Sequence, residues 1–336
     1  MTAMAPDLSG ANAHEQNALP PEPARSLASD AWRRIVHSKL SLLCLAIVCI
    51  YFFVGLASLL PVFDRKITEQ LNDGAPYQEP RLFEHRADGT RHWLPPAYWL
   101  GTEFQGRSVF WRVLYGTRIA LIITICASAM TLVIGTALGI IAGYFGGWVD
   151  DLIIWLYSTL SSIPWLLLVI AMAYAIQGRT TAGEGHAWLK LFGGTFTVIL
   201  SLGLTDWVSL CRLMRGEVIK LRDRDFVSAA RAVGLGHWRI LFRHILPNTT
   251  HLIIITFSLA AVSYVQVEVV LAFLGLGITD KPSWGKMIDD AKLELLRGVW
   301  WQVTAATVAI FVLCLALNIL GDALRDALDP KLRGVE

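Results

Sequence analysis

Two acids stand inside otherwise uncharged apolar runs: Asp206 within 191–211 and Glu268 within 252–274. A carboxylate at membrane depth costs roughly 2.5–3.5 kcal/mol if it faces lipid, so each must face protein or water. For Glu268, beside Gln266, two readings stand: a polar lining of a translocation path, or a contact with a neighbouring helix or loop. Asp206 lies next to Trp207 near the expected end of its span, where Arg212 or Arg215 is within reach as a partner. Proton coupling would need a chain of such groups, which two isolated acids do not supply. His237, His244 and His251 recur at intervals of seven, but Pro247 falls between the last two and no carboxylate stands at ligand spacing, so no metal site is expected. Gly285-Lys286 is followed by Met287 and lacks the earlier glycine of a phosphate-binding loop, which excludes ATP hydrolysis by that route. No HExxH or GxSxG pattern occurs.

The elements that must position these groups follow from composition. The chain has 336 residues, 54% hydrophobic and 17% charged, with mean hydropathy +0.51. That is too apolar for an ordinary soluble domain and reads as a polytopic membrane protein. A net charge of +2, with basic residues scattered among loops, implies no nucleic-acid partner. About 20 apolar residues cross the ~30 Å hydrocarbon core as a helix. Segments 40–62, 119–145, 152–177 and 299–320 carry no Asp, Glu, Lys or Arg, and 191–211 and 252–274 carry one each. The expectation is an all-α bundle of six transmembrane helices. Pro164, in the middle of the third, removes a backbone hydrogen bond and is a candidate hinge, with a fixed kink as the alternative. Gly135, Gly139 and Gly143 put a small-residue row on the second, for close packing against another helix of this chain or of a partner. Cys44, Cys49, Cys126, Cys211 and Cys314 all fall in or at the ends of spans, without CxxC spacing, and are expected to be small buried hydrophobes.

Counting charges with the N-terminus inside puts 15 Lys/Arg inside and 14 outside, which decides nothing. Local signals decide more: Arg33, Arg34 and Lys39 flank the first span, and 215–250 holds seven Lys/Arg against three acids. Both termini and the 215–250 loop are therefore assigned to the cytoplasm. The organisation expected is a disordered cytoplasmic tail over 1–39, the first transmembrane helix over 40–62 acting as a signal anchor, and an external loop with an amphipathic segment over 63–118. A five-helix core over 119–320 contains the 215–250 loop, and 321–336 is a cytoplasmic tail.

That loop includes FVSAARAVGLGHWRILFRHILPN (226–248). Asp223 or Asp225 is placed to cap a short helix whose Ala229, Ala230 and Ala232 leave little bulk. Gly234 and Gly236 break it. A second helix carries Trp238, Leu241, Phe242 and Ile245 on one face and Arg239 and Arg243 on another, and Pro247 is expected to stop it. From the pattern alone, an amphipathic pair resting on lipid is an equally physical reading.

Spacing separates the two. Ala229, Ala230, Gly234, Leu246 and Pro247 stand where the EAA loop of ABC-type importer permeases has Ala-Ala, Gly and Leu-Pro. Ser228 occupies the place of the family's Glu and His244 that of its Ile. The form AARAxG with RHxLPN resembles the peptide-importer branch, in the C-type inner-membrane subunit of dipeptide and oligopeptide systems. LGTEFQGRSVFWRVLYGTRIAL (100–121) is similar to that branch's GTDxxGRD segment, with Glu103 and Ser108 in place of its two Asp. GYFGGWVDD (143–151), FLGLG (273–277) with PSWG (282–285), and GDALRDALDPKLR (321–333) are similar as well.

The resemblance implies a type I ABC importer permease fold in the bacterial cytoplasmic membrane, and a non-catalytic subunit. It implies that this chain binds no cofactor, ATP and Mg2+ being held by partner subunits. The implied partners are a second related permease forming a heterodimer, two cytoplasmic ABC ATPase subunits, an external substrate-binding protein and the lipid bilayer. Ser228, Ala229, Ala230, Gly234, Arg243, His244, Leu246 and Pro247 would form the ATPase-coupling loop, and Glu268 and Gln266 are the translocation-path candidates. The substrate implied is a dipeptide or oligopeptide; nickel or another small solute of the same branch is the alternative. A self-contained secondary transporter would require inverted repeats or coupling-ion ligands, and a membrane enzyme a catalytic cluster at membrane depth; the sequence carries neither.

Overall fold

Long uncharged segments become helices in the bilayer because every backbone N–H and C=O must be satisfied within the segment. The computed structural model describes Val36 and residues 38–71, 75–85, 91–181, 193–278 and 281–328. Most of the expected N-terminal tail, and the C-terminal tail beyond 328, lie outside the described residues.

Among the described residues, five helical stretches are long and apolar enough to cross a membrane: Lys39–Ala57, Val109–Phe145, Gly194–Arg222, His237–Phe273 and Trp301–Ala327. The third expected span departs from a single straight helix. It is a pair, Gly147–Ser161 and Trp165–Thr181, and the axes of Gly147–Ser161 and Trp165–Gly178 meet at 88°. The break falls at Ser162-Ile163-Pro164, since Pro164 lacks an N–H and its ring disfavours helical geometry at Ile163. Six spans result if the bent pair counts as one.

Val109–Phe145 (α3) is the axis of the bundle, following α1 (Lys39–Ala57) and α2 (Pro61–Thr68). It starts well ahead of the expected 119 and packs on α1, on α6 (Gly193–Thr205), on α7 (Trp207–Arg222) and on α10 (Leu246–Phe273). Its glycine row meets α7 of the same chain. A Cβ at Gly135 would lie 2.9 Å from the Trp207 carbonyl, at Gly139 2.7 Å from that of Cys211, and at Gly143 2.8 Å from that of Arg215. Backbone-to-backbone approach of this kind is what the row permits. One apolar cluster, centred on Tyr115, Ile123, Leu202, Tyr264 and Leu271, joins α3, α6 and α10. A second, around Trp284, Met287 and Trp301, ties α3 and α10 to α11 (Trp284–Leu295) and α12 (Trp301–Leu328).

The 63–118 segment folds against the bundle. Ile67 of α2 is buried, and strands β1 (Phe83–His85) and β2 (Arg91–Trp93) pair antiparallel with Phe83 opposite Trp93. Trp301 Nε1 donates to the Thr102 carbonyl at 3.0 Å and Arg297 to the Tyr77 hydroxyl at 3.2 Å, fastening this segment to the start of α12. Of the cysteines, Cys44, Cys211 and Cys314 are buried as expected, whereas Cys49 and Cys126 lie on exposed helix faces.

Candidate functional site

The loop between α7 and α10 begins with α8 (Asp225–Ala232). The expected cap is corrected: Arg224 occupies the N-cap position without a side-chain bond, Asp223 ends α7, and Asp225 stands in the first turn of α8. There its charge complements the helix dipole instead of capping a backbone N–H. Val227 and Ala230 are buried, packed with Val218, Ile240, Leu241 and Ile245. The opposite side is open: Ser228, Ala229 and Ala232 are exposed, as are Phe226 and Val233. Phe226, Ala229 and Val233, spaced by three and four, form an apolar ridge facing away from the bundle. Sequence reasoning missed Phe226 and Val233. Their spacing from Ala229 was the available signal, once Val227 and Ala230 are assigned inward.

Gly234 closes the helix at φ +80°, a left-handed conformation that costs other residues about 1–2 kcal/mol. Leu235 N–H then bonds the Ala230 carbonyl at 3.1 Å. Gly236 is the N-cap of α9 (His237–Ile240). His237 Nδ1 lies 2.9 Å from the Tyr144 hydroxyl, and the Arg231 guanidinium lies 5.3 Å from the Tyr144 ring. Tyr144, at the end of α3, thus holds both halves of the loop.

Pro247 does not stop the second helix. The chain passes from α9 through a π-helical turn, Leu241–Ile245, directly into α10, and His237–Phe273 is one helical stretch. A π turn shifts hydrogen bonds by one residue, and Pro247 follows it in the first turn of α10, where a missing N–H is tolerated. Arg243 is exposed, while His244 and Leu246 are half-buried in and beside that turn. The expected common apolar face is divided: Leu241 and Ile245 are buried, whereas Trp238 and Phe242 are exposed, with ring centroids 6.2 Å apart.

The membrane acids sit elsewhere than expected. Asp206 joins α6 to α7 and lies mid-way along the Gly194–Arg222 stretch, because the helix continues past residue 211. Its partner is neither arginine. Tyr264 Oη donates to Asp206 Oδ2 at 2.8 Å and lies 2.8 Å from Thr131 Oγ1, so one hydroxyl bridges three spans. Arg215 instead forms a bidentate pair with Asp150 at 2.5 and 2.7 Å, and Arg212 donates to Ser161 Oγ at 3.1 Å. Glu268 is 4% exposed. A Cβ at Gly285 would lie 2.8 Å from its Oε2, so of its two readings the geometry is that of a loop contact. The carboxylate is turned into the turn that starts α11, while Gln266 is exposed.

At the end of the bundle opposite the 215–250 loop, charges converge. Glu103 is fully buried and pairs with both Arg107 and Arg112. Arg112 also lies 3.6 Å from Asp290, which takes Lys286 at 2.8 Å. Glu103 keeps the carboxylate of the resembling motif on a longer arm. Ser108 directs its hydroxyl to the Ala97 carbonyl at 2.6 Å. Glu294 of α11 is buried beside this network. Burial, with Glu103 and Asp290 nearby, pushes its carboxyl up to about 7; the Phe104 backbone N–H and the Arg112 guanidinium pull the other way. The folded state therefore holds a proton that an ordinary carboxylate releases near 4.5, and folded stability falls as pH rises from that value to about 7. We expect the purified protein to melt at lower temperature at pH 8 than at pH 5, and Glu294→Gln to flatten that difference by raising the pH 8 value. Equal pH dependence in the two proteins would remove Glu294 as its source.

Among the described residues no group of three or more His, Cys, Asp or Glu converges as a metal site.

Comparison with known proteins agrees with this geometry. Residues 135–334 match the family described as binding-protein-dependent transport system inner membrane component. The chain is 33% identical over 315 residues to the dipeptide transport system permease protein DppC of Bacillus subtilis, covering 93% of this chain and 88% of that protein. It is 35% identical over 259 residues to the glutathione transport system permease protein GsiD of Pectobacterium atrosepticum, covering 77% and 80%. It is 30% identical to the oligopeptide transport system permease protein OppC of Bacillus subtilis, covering 92% and 91%. A chain from inward-facing structures of the MetNI methionine ABC transporter superposes with a TM-score of 0.50 at 15% identity, covering 66% of this chain and 98% of that one, and shares the fold. The exposed loop ridge, the apolar bundle and these matches together make this chain a multi-pass, non-catalytic permease that belongs to the family of inner-membrane components of binding-protein-dependent transport systems.

Proposed function

We propose that this chain is the permease subunit of an ATP-driven importer of dipeptides, oligopeptides or glutathione, coupled to ATPase subunits through the 215–250 loop. The observation that carries this reading is the ridge of Phe226, Ala229 and Val233 on α8, exposed on a helix whose other face is packed into the chain's own core. Substrate class is supported by the names of relatives aligned over most of the chain. The coupling loop and both termini face the cytoplasm, supported by the basic excess of 215–250. The 63–118 segment and α11 then face an external substrate-binding protein. A second related permease completes the path, and two ATPase subunits hold ATP and Mg2+, this chain binding none.

The loop works as a lever. A push on α8 passes through the Gly234 turn to α9, and from there along the continuous His237–Phe273 helix into the membrane. The Arg215–Asp150 pair carries the same displacement from α7 to the bent Gly147–Ser161 helix.

Purification of the tagged chain from its native membrane tests the assignment. We expect a second multi-span permease and an ATPase to co-purify with ATP hydrolysis, and Gly234→Val to lose the ATPase. A stable chain that brings down no ATPase would overturn the reading.

A further inference from the structure

We propose that Asp206, with Ser209 beside it, is a recognition point inside the membrane for a primary ammonium group of the transported solute. This rests on the peptide-importer reading above.

Depth comes first. At ~1.5 Å per residue, Asp206 stands about 18 Å along the helix from Gly194, and Tyr264 about 14 Å from the end of α10 at Phe273. Both measures put the group well inside a ~30 Å hydrocarbon layer. The carboxylate is positioned by a neutral donor: Tyr264 gives its proton to Oδ2 and is itself held by Thr131. That bond orients Asp206 without compensating its charge. The arginines nearest in sequence are committed elsewhere, Arg215 to Asp150 and Arg212 to Ser161 and the Tyr157 ring. Glu268, the other acid within the apolar runs of the sequence, is sealed beneath α11, whereas Asp206 keeps part of its surface open.

The open side continues as a stripe. One flank of α7 packs on the glycine row of α3. On the free flank, Ser209, Leu213, Gly216 and Lys220 follow Asp206 at helical spacing, and all are exposed or half-exposed. Carboxylate, hydroxyl, bare backbone and ammonium, interrupted by the one leucine, make a poor lipid contact along this flank and a suitable wall for a polar path. A half-open carboxylate at this depth, with no cation beside it among the described residues, favours a solute that brings one. Dipeptides, oligopeptides and glutathione all carry a free amino group, protonated at neutral pH.

The test uses the whole transporter in proteoliposomes with its binding protein. Asp206→Asn keeps an oxygen for Tyr264 and loses the charge; Asp206→Glu restores it. ATP-driven uptake is measured for a dipeptide with a free amino terminus and for an N-acetylated dipeptide that the unaltered protein carries at a measurable rate. Taking the ratio of variant to unaltered protein for each peptide cancels the binding protein's own preference. We expect Asp206→Asn to lower that ratio about tenfold for the free peptide, the order of one lost charge-assisted contact. The acetylated ratio should stay near one, with unchanged subunit composition and basal ATP hydrolysis and with recovery in Asp206→Glu. Equal loss for both peptides, or loss of the second permease from the complex, would make Asp206 a structural or subunit-pairing group and overturn the proposal. Uptake at the unaltered level would overturn it too while leaving the importer reading intact. Absence of ATP-driven dipeptide uptake in the unaltered protein would remove both.

Discussion

Replacing Ala229 with tryptophan should abolish transport while leaving the chain folded and inserted. Ala229 lies at the centre of the exposed ridge on α8, between Phe226 and Val233, and contributes no side chain to the bundle. On the proposed reading, an indole there blocks the surface that docks the ATPase subunit. Burying one misfit at the centre of an interface costs about 2–4 kcal/mol, or roughly 30- to 1000-fold in affinity. The informative contrast is Ala230→Trp. Ala230 is 7% exposed and packs on the loop's own core, so that substitution disrupts the chain before it reaches any partner. We therefore expect Ala229→Trp to give normal yield and melting temperature with lost ATPase co-purification and uptake, and Ala230→Trp to give low yield. Normal uptake by Ala229→Trp would show that α8 is not the docking surface.

Arg112→Ala should be the most destabilising single change at the opposite end of the bundle. Glu103 is fully buried, and Arg112, itself 4% exposed, joins it to Asp290. Removing one partner of a buried pair leaves the other charge uncompensated, at a cost of about 3–5 kcal/mol. Arg107 also pairs with Glu103 but is only half-buried, so it replaces little of that. The effect should reach beyond the pair, because this network is where the 63–118 segment, the start of α3 and α11 meet. We expect loss of folded protein in thermal unfolding of the detergent-purified chain. Glu103→Gln combined with Arg112→Gln should recover a substantial part, since the charge the double variant leaves single, Arg107, is only half-buried and reaches water. A double variant no more stable than Arg112→Ala would assign the loss to packing instead of charge.

The sequence by itself determined the bundle, the number of apolar segments, the short helical pair between α7 and α10 and the break at Pro164. These depend on features local in the chain: a helix needs about 20 apolar residues to cross, a proline removes a hydrogen bond wherever it falls, and the loop's glycines and alanines keep their spacing. The break at Gly234 and the close-packing glycine row were legible for the same reason, whereas the helix that the row meets, α7 of the same chain, was not. Tertiary structure decided the partners. Asp206 has arginines six and nine positions on, yet bonds Tyr264, 58 positions away, because α10 lies across the junction of α6 and α7 while Asp150 has claimed Arg215. Glu268 had two readings until α11 folded over it. Pro247 was expected to end a helix, but the π turn before it carried the helix through, joining lever to span. In each case the covalent neighbour was a poor guide because a buried polar group takes the partner that packing brings within hydrogen-bond reach, and packing is settled by the whole bundle.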